Sequence, residues 1–391
     1  MRNPGHSGPP VGGTAGSLVF TTVLTGGPLS RADVATRTGL SAAAVSKAMR
    51  PLADAGYLAE EAADDNVSRR VGRPATPVRV RAERCFFAGV KVTADEVIGV
   101  VTDLEATVRA VRHRPLVSRE VGDVVRELAE MVGDLLEESP AYRRSFGGLG
   151  VSVGGDVDPE NGVVRYSPFL SWRQVPFVSR VSTATGLPVQ LENDVRALTV
   201  AEQWFGSGVG AESFAVVTVG TGIGCALFVN GKVVAGAHGV AGEIGHLLVD
   251  RSGPLCHCGN RGCVEAIACN SAILAQVRAV TGDQVADLAS AVELARNDFP
   301  GARQVFAVAG NAIGMALAAV ANFVGPERIV ISGDGLSAYD LFEEQIRTTF
   351  ASQAFGAAGE CDLIVRPLSF DDWARGAAAV AIQRFIAPRT L

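Results

Sequence analysis

The sequence predicts an α/β protein in which a small winged helix-turn-helix precedes a two-lobed α/β body with a structural metal site. Three observations predict it. Short capped helices lead into an arginine-rich hairpin before residue 84; two similar groups of β-rich runs begin near Phe86 and Phe214; and cysteine, histidine and glycine crowd together between Gly242 and Glu265. A chain of 391 residues exceeds what one hydrophobic core usually supports, and 48% apolar with 19% charged residues is the composition of folded protein.

Residues 1–16 are mostly Gly, Pro, Ser and Thr, so a flexible lead-in is expected there. They lack the continuous apolar core of a secretory signal, which predicts a cytoplasmic protein. The helix-turn-helix module is expected over 17–82. Leu18, Val19, Val23 and Leu24 have helical spacing that ends at Gly26-Gly27-Pro28; Ser30 can cap a second helix through Val34 and Ala35; Thr38-Gly39-Leu40 makes a turn. Ser41 can cap a third helix, with Val45, Met49 and Leu52 as its apolar stripe. This is the layout whose second member enters the major groove of double-stranded DNA. The residues facing DNA would be Ser41, Ala42, Ala43, Ser46, Lys47 and Arg50, the small ones permitting close approach. Pro51 should bend the C-terminal half of this helix. From Gly56-Tyr57-Leu58 a strand starts, and Arg69, Arg70 and Arg73 sit at the tip of a hairpin that returns through Val78-Arg79-Val80, as a wing for the phosphate backbone would. Charge agrees: residues 1–84 hold 11 Lys/Arg against 7 Asp/Glu (+4), leaving 24 against 34 (−10) for the remainder.

In the body, Phe86 to Val92, Glu96 to Thr102 and Thr107 to His113 read as strands before a helix near Arg119 to Glu138. Phe214 to Val219, Cys225 to Val229 and Lys232 to Val234 repeat the pattern. The most apolar stretch, Ala307 to Gly325, contains Asn311 and Asn322 and reads as a buried helix rather than a membrane span.

Three constellations carry chemistry. Gly242-Glu243-Ile244-Gly245-His246 is followed by Cys256-His257-Cys258-Gly259-Asn260-Arg261-Gly262-Cys263-Val264-Glu265, and His246, Cys256, Cys258 and Cys263 can close a tetrahedral structural Zn²⁺ site. His257 is a rival ligand, awkwardly placed between two cysteines. Leu191-Glu192-Asn193-Asp194 ends an apolar strand; such a pair can bind vicinal hydroxyls, and the Asp194 carboxylate can take a proton, although Asn-Asp is also an ordinary helix cap. Gly220, Thr221, Gly222 and Gly224, between two strands, can expose backbone N–H groups to a phosphate.

In this order these residues resemble the ROK family (repressors, open reading frames, kinases), from about Leu18 onward, and the helix-turn-helix with its Arg-Pro wing resembles the regulator branch. The resemblance implies an actin-like fold of the sugar kinase/Hsp70 kind, two lobes around a cleft, with lobe one over 85–195 plus 371–388 and lobe two over 196–370. It implies that Asn193, Asp194, Glu243, His246 and Glu265 hold a sugar, His246 using one ring nitrogen for zinc and the other for a hydroxyl. The chain departs from the family's kinases where they open with Asp-x-Gly-Gly-Thr. Here Ala88 to Asp95 intervenes, with Lys91 in place of the acid and the glycines gone. In Ser332-Gly333-Asp334-Gly335, Asp334 replaces a glycine, which reads as the milder change; Gly154-Gly155-Asp156 replaces a Pro-Gly, and Phe169 stands where many members have Asn. Retained sugar contacts beside a damaged phosphate loop predict a non-enzymatic, sugar-responsive regulator, most simply a repressor. It would be a homodimer or dimer of dimers that binds a DNA operator and a sugar or sugar-phosphate effector, with no membrane partner. The competing readings are an active ATP-dependent sugar kinase with an appended DNA-binding domain, and a constitutive DNA-binding protein with a vestigial cleft.

Overall fold

The computed structural model describes residues 8–61, 76–282 and 285–387. The chain divides into two compact units, Met1–Val209 with Asp371–Leu391, and Gly210–Phe370.

The first unit opens with helices α1 (Thr14–Gly26), α2 (Arg31–Thr38) and α3 (Ala42–Asp54), then strands β1 (Leu58–Glu60) and β2 (Val78–Val80), which pair antiparallel. Local chemistry sets these limits. Ser30 and Asp33 form a reciprocal capping box, Gly39 closes α2 in the left-handed conformation at φ 69°, and the Ser41 hydroxyl accepts the Ala44 N–H at 3.2 Å. α3 continues through Pro51 to Asp54, and Pro51 itself accepts the Ala55 N–H at 3.0 Å. Arg69, Arg70 and Arg73 lie outside the described residues. Part of the expected flexible lead-in is packed: Pro9 and Val11 are buried, and the chain folds back so closely that a Cβ on Gly16 would stand 1.6 Å from the Val11 carbonyl.

There follow β3 (Phe86–Val92), β4 (Glu96–Asp103), β5 (Val108–Pro115), α4 (Val121–Glu137), α5 (Pro140–Arg144), β6 (Phe146–Val153), β7 (Asp156–Asp158), β8 (Val163–Ser167), β9 (Trp172–Val175), α6 (Phe177–Thr185), β10 (Val189–Asn193) and α7 (Asp194–Phe205). The main sheet has the order β10-β6-β3-β4-β5, with β10, β6 and β3 parallel and the rest antiparallel; β7, β8 and β9 form a small sheet of their own. β3 is buried throughout, as a strand covered on both faces must be. α4 covers one face. The other takes the C-terminal helix, Phe370–Ile386, whose run of small residues lies on the sheet almost backbone to backbone: a Cβ on Gly89 would stand 2.0 Å from the Ala374 carbonyl, and one on Gly150 1.8 Å from that of Ala377.

The N-terminal helices are not tethered beads. Val19, Phe20, Val45, Met49, Leu52 and Tyr57 share one continuous core with Phe87, Leu104, Trp204, Ile382 and Ile386. Phe20 meets Tyr57 edge-on at 5.9 Å, Phe385 lies tilted against Tyr57 and edge-on to Phe87, and the Ser17 hydroxyl donates to the Ile386 carbonyl at 2.8 Å. Expected as a separate domain ending at residue 82, this module is thus built onto the first unit.

The expected boundary after residue 195 falls inside the first turn of α7. That helix stays with the first unit because its backbone at Ala197 and Leu198 packs on Gly376, where a Cβ would come within 3.0 Å of the Leu198 nitrogen.

The second unit comprises β11 (Ser213–Val219), β12 (Ile223–Val229), β13 (Lys232–Val233), α8 (Val264–Ala268), α9 (Asn270–Thr281), α10 (Leu288–Arg296), α11 (Pro300–Val324), β14 (Arg328–Ser332), α12 (Glu343–Gln353) and β15 (Asp362–Val365). Its sheet order is β13-β12-β11-β14-β15, with β11, β14 and β15 parallel and β12 and β13 antiparallel. Strand for strand this is the topology of the first unit's sheet, the repeat that the two β-rich groups predicted. α11 is long and apolar enough to cross a membrane by composition, but 67% of its most apolar window is buried among the helices and sheet of this unit.

Candidate sugar and metal sites

In the first unit, parallel pairing sets Lys91 of β3 beside Ser152 of β6, and Ser152 beside Glu192 of β10. β10 ends one residue later, at the cap of α7. Asn193 caps that helix: its Oδ1 accepts the N–H groups of Val195 (3.0 Å) and Arg196 (3.1 Å), and its Nδ2 donates to the Gly155 carbonyl at 3.0 Å. One N–H of the amide remains for a ligand. Asp194 accepts the Val195 N–H on Oδ1 at 2.9 Å, while its Oδ2 receives the Lys91 ammonium in a short, charge-assisted hydrogen bond. Both side chains are largely buried, 10% and 15% exposed, and the ammonium also lies 5.3 Å from the centre of the Trp373 ring. So the expected base is already paired with a cation. A Cβ on Gly154 would touch both Asp194 Oδ2 and the Phe169 ring at 3.1 Å, which puts an apolar ring beside the carboxylate where an amide was the family expectation. Asp95, at the end of the segment that replaces the family's phosphate loop, is tied to Arg119 at 3.0 Å on the surface. Sequence reasoning missed the Lys91 pairing, yet a signal existed: a lysine between Val90 and Val92 in a strand buried on both faces requires a counter-ion.

In the second unit, the turn after β11 carries Gly220, Thr221 and Gly222, with Gly224 on β12. Both donors of Thr221 are in use. Asp334 Oδ1 accepts the Thr221 N–H at 3.2 Å, and Oδ2 accepts the Thr221 hydroxyl at 3.1 Å and the Asn270 amide at 2.7 Å. A carboxylate therefore occupies both Thr221 donors of this turn.

The metal candidates lie on a loop between β13 and α8. His246 ends a short 3-10 turn; Cys256 and Cys258 sit on a tight turn closed by the Cys256 N–H to the Asn260 carbonyl at 2.7 Å; Cys263 precedes α8. Gly262 lets the chain close: at φ 69°, a Cβ there would stand 1.4 Å from the Asp250 carbonyl. The Cys258 and Cys263 sulfurs are 3.7 Å apart, and the Cys256 sulfur is 3.5 Å from His246 Nδ1. With Zn–S about 2.3 Å and Zn–N about 2.05 Å, a regular tetrahedron has edges of about 3.8 Å (S to S) and about 3.6 Å (S to N). The donor set therefore fits zinc, and the four ligand atoms lie within 4.8 Å of one another. His246 turns Nδ1 to this cluster, leaving Nε2 for another partner. Burial pushes the Cys263 thiol up to about 12, while the Asn260 backbone N–H lowers that of Cys258.

Glu265, in the first turn of α8, accepts the Ile223 N–H on Oε2 at 3.0 Å and pairs through Oε1 with His257 Nε2 at 2.7 Å. Glu243 opens the 3-10 turn that carries His246, whose N–H donates to the Glu243 carbonyl at 3.1 Å.

Two units with one repeated sheet topology, an Asn-Asp strand end in the first, and a glycine turn with a Cys₃His loop in the second define a protein of the sugar-kinase fold class. The chain belongs to the ROK family, whose sequence pattern spans residues 87–384. It is 32% identical over 302 residues to the glucokinase of Thermotoga maritima, covering 73% of this chain and 94% of that enzyme. To the xylose repressor of Bacillus subtilis it is 25% identical over 370 residues, covering 94% of this chain and 95% of that protein. Among solved structures it resembles a ROK family transcriptional regulator, a homologue of the Escherichia coli MLC protein, with TM-score 0.79 at 25% identity over 95% of each chain.

Proposed function

We propose that this protein is a sugar-responsive, DNA-binding transcriptional regulator whose kinase-like units bind a sugar without phosphorylating it. The observation that carries this reading is the outer face of α3. Val45, Met49 and Leu52 are buried in the core shared with the first unit, while Ser41, Ala42, Ala43, Ser46, Lys47 and Arg50 are all exposed. Small residues followed by two cations suit a helix that reads base edges and holds phosphates. α1 to α3 with the β1–β2 pair are read as the winged helix-turn-helix, and the match to a repressor over 94% of the chain supports that assignment.

The retained sugar-contacting set is Asn193, Asp194, Glu243, His246 and Glu265. His246, Cys256, Cys258 and Cys263 would hold a structural Zn²⁺, which locks the loop that carries His246 and ends at α8. Against phosphotransfer stand two ion placements: the Lys91 ammonium on the expected base Asp194, and the Asp334 carboxylate on the Thr221 donors. The 32% identity to a glucokinase favours the kinase alternative, but that match covers only 73% of this chain.

The deciding experiment is a thermal-shift series on zinc-loaded full-length protein with D-glucose, D-xylose, N-acetyl-D-glucosamine, their phosphates, and Mg-ATP. A ligand at about 100 times its Kd adds about 2.7 kcal/mol to native stability. One sugar or sugar phosphate is expected to stabilise the protein and to change its affinity for duplex DNA, with Mg-ATP silent; stabilisation by Mg-ATP would overturn the non-enzymatic reading. For the DNA face, Lys47→Ala with Arg50→Ala is expected to weaken binding to a duplex selected from a random library by at least about tenfold, and to flatten the salt dependence by about two units of slope, one per lost phosphate contact. Unchanged affinity and slope would remove α3 from the interface.

A further inference from the structure

We infer that His257, from within the metal loop, is a positioning residue for the sugar-binding carboxylate of Glu265, so that ordering of the loop by metal is transmitted to sugar recognition. This rests on the proposed sugar and metal sites and goes one residue beyond them.

His257 stands between Cys256 and Cys258, two ligands of the proposed Zn²⁺ site, so its backbone is fixed on both sides once they are anchored. Its ring nitrogen lies within 4.8 Å of the Cys256 sulfur and reaches past it to Glu265. Nε2–H donates to Glu265 Oε1 at 2.7 Å, and the ring meets that of His246 edge-on at 5.0 Å. The second Glu265 oxygen is held by the Ile223 N–H, at the start of β12 and directly after the glycine turn. The carboxylate is thus gripped by one donor on each oxygen, and its side chain is only 13% exposed.

That arrangement has a chemical consequence. An ionised carboxylate offers about four lone-pair sites, and the two donors use two of them. The remaining two, one on each oxygen, have a fixed direction and can accept two hydroxyl protons, as a vicinal diol requires. Without His257, Oε1 loses its restraint, and the carboxylate can rotate about its terminal torsion, which has only broad preferences. Fixing an acceptor in advance saves the ordering cost at the moment of binding. His257 also contacts the ring of His246, the other residue of this unit proposed to serve both metal and sugar, so one imidazole steadies both partners. His257 and Glu265 also form a second group with His246 and Cys256 that could hold a metal, but the tetrahedral set of His246 and three cysteines needs neither of them, which leaves His257 Nε2 to Glu265.

The test compares wild-type, His257→Leu and His257→Gln proteins, full length and zinc-loaded. Zinc content per chain is measured first. Affinity is then measured by titration calorimetry for whichever of D-glucose, D-xylose, N-acetyl-D-glucosamine or their phosphates stabilises the wild type most. His257→Leu is expected to keep the wild-type zinc content and to bind that compound at least tenfold more weakly. His257→Gln, whose amide nitrogen reaches the position of Nε2, is expected to recover affinity to within about threefold of wild type. Unchanged affinity in His257→Leu overturns the inference alone, and so does a failure of Gln to rescue. Loss of zinc from His257→Leu overturns it in favour of a ligand or scaffold role. If the wild type binds none of these compounds, the sugar-site reading falls and takes the inference with it.

Discussion

Replacing Lys91 by Met is expected to lower the stability of the first unit by about 3 kcal/mol, because it strands the Asp194 carboxylate without its cation in a site only 15% exposed. For a unit of this size that corresponds to a fall of roughly 6–12 °C in its melting transition. The size of the effect comes from leaving one charge unpaired, not from the worth of the pair itself. Asp194→Asn added to Lys91→Met should therefore restore most of the loss, since an amide needs no counter-ion. Calorimetric melting of wild type, both single variants and the double variant checks this as a double-mutant cycle. Additive losses in the double variant would show that the two groups are independently solvated, and that the base is free to act. The cycle thus bears on function: a carboxylate held by an internal ammonium is a poor acceptor for a hydroxyl proton but remains able to hydrogen-bond a sugar.

Cys263→Ser is expected to reduce bound zinc from one per chain to a small residual fraction after dialysis, and to abolish sugar-induced stabilisation. Cys263 is fully buried, and its sulfur sits 3.7 Å from that of Cys258, so a hydroxyl there both removes a thiolate and leaves a buried polar atom. Structural zinc in small domains contributes about 10–16 kcal/mol of apparent binding free energy, which makes the metal a large share of whatever order the loop has. Cys361→Ser is the control, because Cys361 lies outside the cluster and is partly exposed. Elemental analysis of both proteins, followed by thermal shift with the sugar that stabilises wild type, separates the outcomes. Full zinc occupancy in Cys263→Ser would discard the Cys₃His assignment.

Much of what short-range chemistry sets was legible along the chain, though not the packing of Val11 against Gly16. Ser30, Ser41, Gly26-Gly27 and Gly39 delimit α1 to α3 through caps and turns that act within four residues, so their positions follow from the local sequence. The repeated sheet was visible as two groups of β-rich runs, and the metal loop as a spacing of cysteines with His246, because loop closure around an ion constrains residues near in sequence. The sugar-kinase fold followed from these in order.

What tertiary structure alone decided is which distant charges meet. Lys91 and Asp194 are separated by 103 residues and are joined by the parallel register of β3, β6 and β10. Asp334 reaches Thr221 across 113 residues because β14 pairs beside β11 and both strands end at the same edge of the sheet. The C-terminal helix closes the first unit, bringing Trp373 over Lys91 at one end and Phe385 against Tyr57 at the other. Sequence reasoning identified Lys91 and Asp334 as departures, and only strand register could show which group each of these ions is paired with. The physical reason is one of range: caps and turns are decided by neighbours a few bonds away, whereas a buried charge is tolerated only where the whole sheet delivers its partner.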